Sequence, residues 1–309
     1  MCGIAGLFFK NGTHPEQLGP LFTPMLAKME SRGADSVGFA IYGDRAATGS
    51  HWLTLGGDVR TDWAAITGWI SERLGRSVIE PQQHHTHAVY EVPQDSGSQL
   101  SELEAIFPVV VMSTGTKMRI FKEAGSPTEL LGLFGLSGFR SSHAIGHTRM
   151  ATESAVITAG AHPFSTGEDF CLVHNGSLSN HHWIKRKLER QGLTFRTEND
   201  SEVAAGFLSW RLREGDSLEA AVEAALRDLD GFFTFCIGTA NGFAVLRDPI
   251  ACKPAVLVET DDYVAMASEY RSLADLPGAS QGRIWEPAPG TVYAWEFAHD
   301  AVPASLRTA

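Results

Sequence analysis

Met1-Cys2-Gly3-Ile4-Ala5-Gly6 opens the chain, and the reading of the fold turns on it. Once an initiator methionine is removed, a second-position cysteine carries a thiol and a free α-amine on one residue. An α-amino group titrates at roughly 7.7–8.0, close enough to neutrality to take the thiol proton and return it to a leaving amine. Such a residue is a nucleophile with its own base, and its use requires that Met1 be cleaved. Gly3 to Lys10 is an apolar run closed by Asn11-Gly12, the pattern of a buried strand ending in a turn, which would hold Cys2 on a rigid element.

Working outward, residues 17–31 place Leu18, Leu21, Phe22, Met25, Leu26 and Met29 at helical spacing, with Pro20 and Pro24 expected to set or kink the first turns. Arg32-Gly33-Ala34-Asp35-Ser36-Val37-Gly38 is a polar, glycine-flanked segment running into an apolar strand over 39–42. Residues 48–139 are the least patterned third, with a helix near 62–74 and a strand over 108–112. His84-His85-Thr86-His87 within it has three imidazoles, but strand alternation would split them between two faces and no carboxylate is suitably spaced, so a metal site is not expected.

Ser141 to Ile145 reads as a strand entering Gly146-His147-Thr148-Arg149-Met150-Ala151-Thr152, and Ala161-His162-Pro163 follows. Phe170 to Val173 is a buried strand ending at His174-Asn175-Gly176-Ser177. Ser179 is positioned to cap a helix closed by Gly192, a second helix follows Glu198-Asn199-Asp200-Ser201-Glu202, and a third occupies about 217–229. From Gly231 the pattern becomes strand-like, at 232–237, 243–246, 255–258, 263–267 and 291–295. This order predicts an α+β fold of two sheets packed face to face with helices outside.

Composition narrows the function. The 309 residues include 43% hydrophobic ones and carry a net charge of −11, and no Lys/Arg-rich run supplies the basic face that nucleic acid or an anionic membrane requires. No apolar run reaches the roughly 20 residues of a bilayer span and no secretory leader pattern opens the sequence, so a cytoplasmic location is expected. Cys171, Cys236 and Cys252 sit among apolar neighbours and are expected to be reduced core thiols.

Attack on an amide needs a nucleophile, a base, donors for the developing oxyanion and groups that fix the substrate. Cys2 supplies the first two. Asn175 and Gly176 offer a side-chain amide and an unshielded backbone N–H, which suit an oxyanion hole or, equally, a plain Asn-Gly turn. Arg149 has the planar fork that grips a carboxylate, and Asp200 at a helix start either accepts from an ammonium or caps the helix. A ligand with α-carboxylate, α-ammonium and side-chain amide would engage Arg149, Asp200 and Cys2. Glutamine has that shape.

Taken in order, Cys2-Gly3-Ile4-Ala5-Gly6, residues 32–38 and 146–152, Ala161-His162-Pro163, His174-Asn175-Gly176, Asn199-Asp200-Ser201-Glu202 and Arg247-Asp248-Pro249 resemble the class II glutamine amidotransferases. These are N-terminal nucleophile hydrolases with a four-layer αββα sandwich of two antiparallel sheets, here expected as one domain over 2–300. The resemblance implies that Cys2 attacks the glutamine amide, Asn175 and Gly176 bind the oxyanion, and Arg149, Thr152 and Asp200 hold the amino-acid end. Met150 and Glu153 replace a usual Trp and His, and Ala34 a frequent Tyr. Few residues follow the 291–295 strand, so an acceptor domain is not expected in this chain. That pattern resembles the stand-alone amidotransferase subunits of glutamate-synthase-like complexes, of the N-methylglutamate synthase type. Ammonia would then pass to synthase subunits carrying FMN and iron–sulfur clusters, with no cofactor in this chain and the enlarged 48–139 region as the partner contact or a lid. Two other readings fit the same residues: an amidase for a different amide, which would not need Arg149 with Asp200, and a silent regulatory subunit, which would not need to keep Cys2, Arg149, Asn175, Gly176 and Asp200 together.

Overall fold

The computed structural model describes residues 2–12, 14–150 and 156–297. In chain order the elements are β1 (Gly3–Phe9), α1 (Pro15–Ala27), β2 (Ser36–Tyr42), β3 (Ser50–Gly56), α2 (Trp63–Leu74), β4 (Gln82–His84), β5 (His87–Pro93), α3 (Leu103–Ile106), β6 (Val110–Gly115), β7 (Met118–Ala124), α4 (Pro127–Phe134) and β8 (His143–Arg149). Then follow β9 (Phe164–Gly167), β10 (Phe170–Leu178), α5 (His181–Glu189), α6 (Asp200–Arg213), α7 (Leu218–Asp228), β11 (Gly231–Gly238), β12 (Gly242–Arg247), β13 (Val256–Glu259), β14 (Tyr263–Ala267), β15 (Arg283–Trp285) and β16 (Val292–Glu296).

β1 is buried along its whole length because both of its faces are covered. Ile4 and Phe8 point toward a second sheet, packing with Val173, Cys236 and Phe243, whereas Ala5, Leu7 and Phe9 point to α1 and α4. This makes β1 a middle strand of the seven-stranded sheet β15-β13-β14-β1-β8-β2-β7, which faces the five-stranded sheet β16-β12-β11-β10-β9. Helices α5, α6 and α7 cover the outer face of the second sheet through Ile184, Leu188, Val203, Phe207 and Val222. All strand pairs in these sheets are antiparallel. The four layers are therefore α, β, β and α, as the sequence predicts.

Several local readings change. Pro15 occupies the first helical turn of α1, so Pro20 and Pro24 lie inside the helix, and its last residues tighten into a 3-10 turn over Lys28–Arg32. β10 does not stop at His174: it continues to Leu178, with Gly176 opposite Phe233. Asn-Gly therefore lies within a strand, and the turn reading is set aside. Ser179 caps no helix; its hydroxyl donates to Asp230, and α5 starts after Asn180 without a side-chain cap. Cys171 and Cys236 are buried as expected, but Cys252 is exposed, since it lies in the loop after β12 where Ala251 adopts a left-handed turn (φ 53°).

The unpatterned third separates into two parts. β3 to β6 form their own four-stranded sheet, β4-β5-β3-β6, whose core of Leu53, Leu55, Trp63, Ile66, Ile70 and Tyr90 is closed by α2. β7 and α4 instead complete the main sandwich. The histidine run is a tight hairpin: His84 pairs with His87 across a turn in which His85 is left-handed (φ 52°). Burial among Phe121 and Phe134 lowers the His87 imidazole to about 3, so it stays neutral. Among the described residues no helix is long and apolar enough to cross a membrane.

Candidate active site

Strand pairing assembles the centre. β1 and β8 run antiparallel with Gly3 opposite Thr148 and Ile4 opposite His147, so Cys2 is carried to the end of β8 beside Arg149 and Met150. The Met150 backbone N–H points at the Cys2 Sγ (3.5 Å). The Cys2 carbonyl accepts from Arg32 Nε (2.9 Å) and from Asn175 Nδ2 (3.2 Å). Arg32 is itself fixed by Glu269 (2.7 Å). Two charge-assisted contacts in series hold the peptide on which the nucleophile sits.

The facing sheet brings Asn175. Alternation along β10 turns its side chain between the sheets and turns His174 toward α6, where its Nδ1 meets Ser201 Oγ (2.8 Å). Asn175 Nδ2 also approaches Ser268 Oγ (3.3 Å), which in turn accepts from Ile4 N–H (2.9 Å), and Asn175 Oδ1 lies 3.0 Å from His147 Nε2. Ser268 thus ties the end of β14 to β1 and to Asn175 at once. Gly176 follows with φ 150°, and a Cβ there would lie 2.0 Å from the Phe232 carbonyl, so only glycine lets β11 approach this closely.

Electrostatics tune the thiol. Burial pushes Cys2 up, but His147, as hydrogen-bond partner and charge, and the Met150 backbone N–H outweigh it and bring the thiol from 9.0 to about 7. Half of it is thiolate near neutrality. His174 moves the other way: burial outweighs the attraction of Asp200 and lowers it to about 4, so it is a neutral neighbour.

Arg149 is buried at the end of β8, opposite Ser36, with its Nη1 3.0 Å from where a Cβ of Gly160 would stand. Asp200 is the first residue of α6, and Asn199, not Asp200, is the cap, accepting from Ser201 N–H (2.9 Å). The Asp200 carboxylate accepts from Leu178 N–H (2.8 Å) at the end of β10, three residues beyond Asn175. At roughly 3.3 Å per strand residue it stands about 10 Å along the strand from the Asn175 position. Cys2 and Asn175 are therefore in direct contact, Gly176 follows Asn175 on β10, Arg149 ends the strand that pairs with β1, and Asp200 is tethered to β10 farther along. Thr152 and Glu153 lie outside the described residues.

The sequence reading gave no role to Arg32, His147 and Ser268. Arg32 and His147 lie in motifs it quoted, and Ser268 carries a weak signal as the polar residue that ends the apolar run 263–267.

A cysteine at the head of a central strand of an αββα sandwich, with an amide donor delivered from the facing sheet, defines a class II glutamine amidotransferase of N-terminal nucleophile type. Residues 147–275 match the family described as a glutamine amidotransferase domain. The chain belongs to this family: it is 47% identical over 302 residues to the glutamine amidotransferase-like protein GlxB of Rhizobium meliloti (strain 1021), covering 96% of this chain and 98% of that protein. A putative glutamine amidotransferase of Methanothermobacter thermautotrophicus is 33% identical over 310 residues, covering 96% of this chain and 100% of the relative. The glutamine phosphoribosylpyrophosphate amidotransferase of B. subtilis shares the fold with a TM-score of 0.57 at 19% identity, 97% of this chain matching 50% of that longer one.

Proposed function

We propose that this chain hydrolyses glutamine to glutamate through a Cys2 thioester. With Met1 removed, the Cys2 amine takes the thiol proton and the thiolate adds to the side-chain amide carbon. The C–N bond then breaks as ammonia leaves with a proton from that amine, and water cleaves the thioester to release glutamate and restore the thiol. Asn175 Nδ2 and the Gly176 backbone N–H receive the oxyanion, Arg149 the α-carboxylate and Asp200 the α-ammonium, with Thr152 at the substrate wall. The observation that carries this reading is the Asn175 amide reaching across the sheets to the Cys2 peptide. Glutamate release from glutamine should be measured for the wild type and Cys2→Ala. Release abolished by the substitution supports the reading, and equal release from both would end it.

The ammonia, in this reading, goes to synthase subunits of a glutamate-synthase-like complex of the N-methylglutamate synthase type, where FMN and iron–sulfur clusters reside. The four-stranded sheet of residues 50–115 suits the contact, since it has its own core and exposes Val59, Ile79, Ile106 and Val110. Removing its exposed loop should weaken co-purification of the acceptor chains; assembly and glutaminase activity both unchanged would refute that assignment.

A further inference from the structure

The buried histidines behind the site have work that the hydrolysis scheme leaves unassigned. Asn175 faces the Cys2 carbonyl with one terminal atom and His147 Nε2 with the other. A carbonyl oxygen only accepts, so the atom facing Cys2 is the amide nitrogen and the atom facing His147 is the amide oxygen, which also only accepts. His147 Nε2 must then carry a proton.

His147 is backed by a second imidazole. The His162 ring lies with its centroid 4.1 Å away, inclined by 37°, and neither of its nitrogens has a hydrogen-bond partner among the described residues. Burial, reinforced by the charges of Lys122 and Arg149, pushes His162 well below the usual imidazole range and holds it neutral. Its peptide is clamped from both sides, because the buried Lys122 ammonium donates to the carbonyls of Ala161 (2.9 Å) and Pro163 (3.2 Å). The approach depends on Gly38, where a Cβ would lie 2.1 Å from the His162 carbonyl oxygen and 2.4 Å from Lys122 Cβ. Two motifs without a role in the chemistry, the second glycine of residues 32–38 and Ala161-His162-Pro163, are thereby parts of one support.

We propose that His147 is a positioning residue: in its Nε2-protonated form, backed by the clamped His162 ring, it fixes the Asn175 amide with its nitrogen toward Cys2 and so presets the oxyanion donor for glutamine. The inference rests on the glutaminase reading above. The Asn175 amide can turn over by rotation about one bond, which would present an oxygen to the oxyanion. Ser268 Oγ does little to prevent this, because a hydroxyl can donate as well as accept. His147, donating from Nε2 to Oδ1, opposes the turned-over form from one side as the Cys2 carbonyl does from the other.

His147→Phe keeps the ring shape and removes the donor, whereas His147→Gln places an amide N–H near the Nε2 position. The phenylalanine variant should lose about 30- to 100-fold in kcat for glutamine hydrolysis with KM within about twofold, and the glutamine variant should recover to within about fivefold of wild type. A packing role alone would not produce that rescue. A His147→Phe protein with kcat within about threefold of wild type, or a folded His147→Gln protein as slow as His147→Phe, overturns the proposal. If the phenylalanine variant does not fold, the 15N spectrum of the wild-type imidazole decides: a ring carrying a proton on Nε2 is expected, and an Nδ1–H tautomer with a bare Nε2 contradicts it. Wild type and Cys2→Ala releasing equal glutamate would remove the glutaminase reading and this inference with it. A Cys2-dependent wild type with an unimpaired His147→Phe removes this inference alone.

Discussion

Replacing Gly176 by alanine tests the junction of fold and site at one atom. Its φ of 150° lies in a region that side chains rarely adopt, costing about 1–3 kcal/mol. The new Cβ would also stand 2.0 Å from the Phe232 carbonyl oxygen and 2.7 Å from Phe233 Cα, so β10 and β11 must part by roughly 1 Å there to reach an ordinary contact. That weakens about two ladder hydrogen bonds around the Asn175–Thr234 and Gly176–Phe233 pairs, at about 1 kcal/mol each. The total is about 3–5 kcal/mol. An unfolding entropy of roughly 2.1 cal/mol/K per residue gives about 650 cal/mol/K for 309 residues, so each kcal/mol lowers Tm by about 1.5 °C. Scanning calorimetry should therefore show Gly176→Ala melting about 5–8 °C below wild type. Glutaminase kcat should fall by about 10²–10³ as the backbone donor shifts. Gly68→Ala is the control: its Cβ would meet nothing within 4 Å in the middle of α2, so the gain in helix propensity should raise Tm by about 1 °C. A Gly176→Ala protein melting within 2 °C of wild type with its kcat intact would refute the close-approach argument.

Two further outcomes follow from the site and from the seam between sheets. In a Cys252→Ser background, iodoacetamide alkylation of Cys2 should rise with pH through a midpoint of about 7, because only the thiolate reacts and the thiol reprotonates as pH falls below that value. At pH 7, half-ionisation against about 1% for a thiol at 9.0 gives about 50-fold, and the lower intrinsic nucleophilicity of a less basic thiolate offsets about six- to tenfold of it. A net five- to eightfold excess over an unperturbed thiol is expected, and a midpoint near 9 would contradict the role given to His147 and Met150. Asp169→Ala should lower Tm by several degrees, since its carboxylate accepts from Thr116 N–H (2.8 Å) and Oγ1 (2.7 Å) and from the N–H groups of Lys117 (2.8 Å) and Met118 (2.9 Å). Calorimetry showing no change would mean that the turn between β6 and β7 needs no such anchor.

What the sequence made legible was what local rules determine. β1 was readable because both of its faces are apolar, α2 because Asp62 caps it before a periodic stripe, and α7 because Ser217 does the same. In the four-stranded sheet only β6 was legible in part, as the strand expected over 108–112; β3 and β5 mix polar and apolar residues around a small core of their own, while β9 and β15 are only four and three residues long. Asn175-Gly176 looked like a turn because that dipeptide usually is one, and here pairing with β11 overrides the preference. Cys2, Asn175 and Arg149 could be named from their chemistry. Ser268 could not, because its contact with Ile4 joins residues 264 positions apart and exists only once β14 pairs with β1. The same holds for His147, whose meaning depends on which atom of Asn175 faces it.

The central claim, that the mature chain begins at Cys2 and uses that sulfur on glutamine, is tested most directly by intact mass and peptide mapping after incubation with a diazo-ketone analogue of glutamine. The account predicts a protein lacking Met1 that gains one adduct, placed on Cys2 and absent from Cys2→Ala. Catalytically active protein that retains Met1, or an adduct on any other residue, would contradict it.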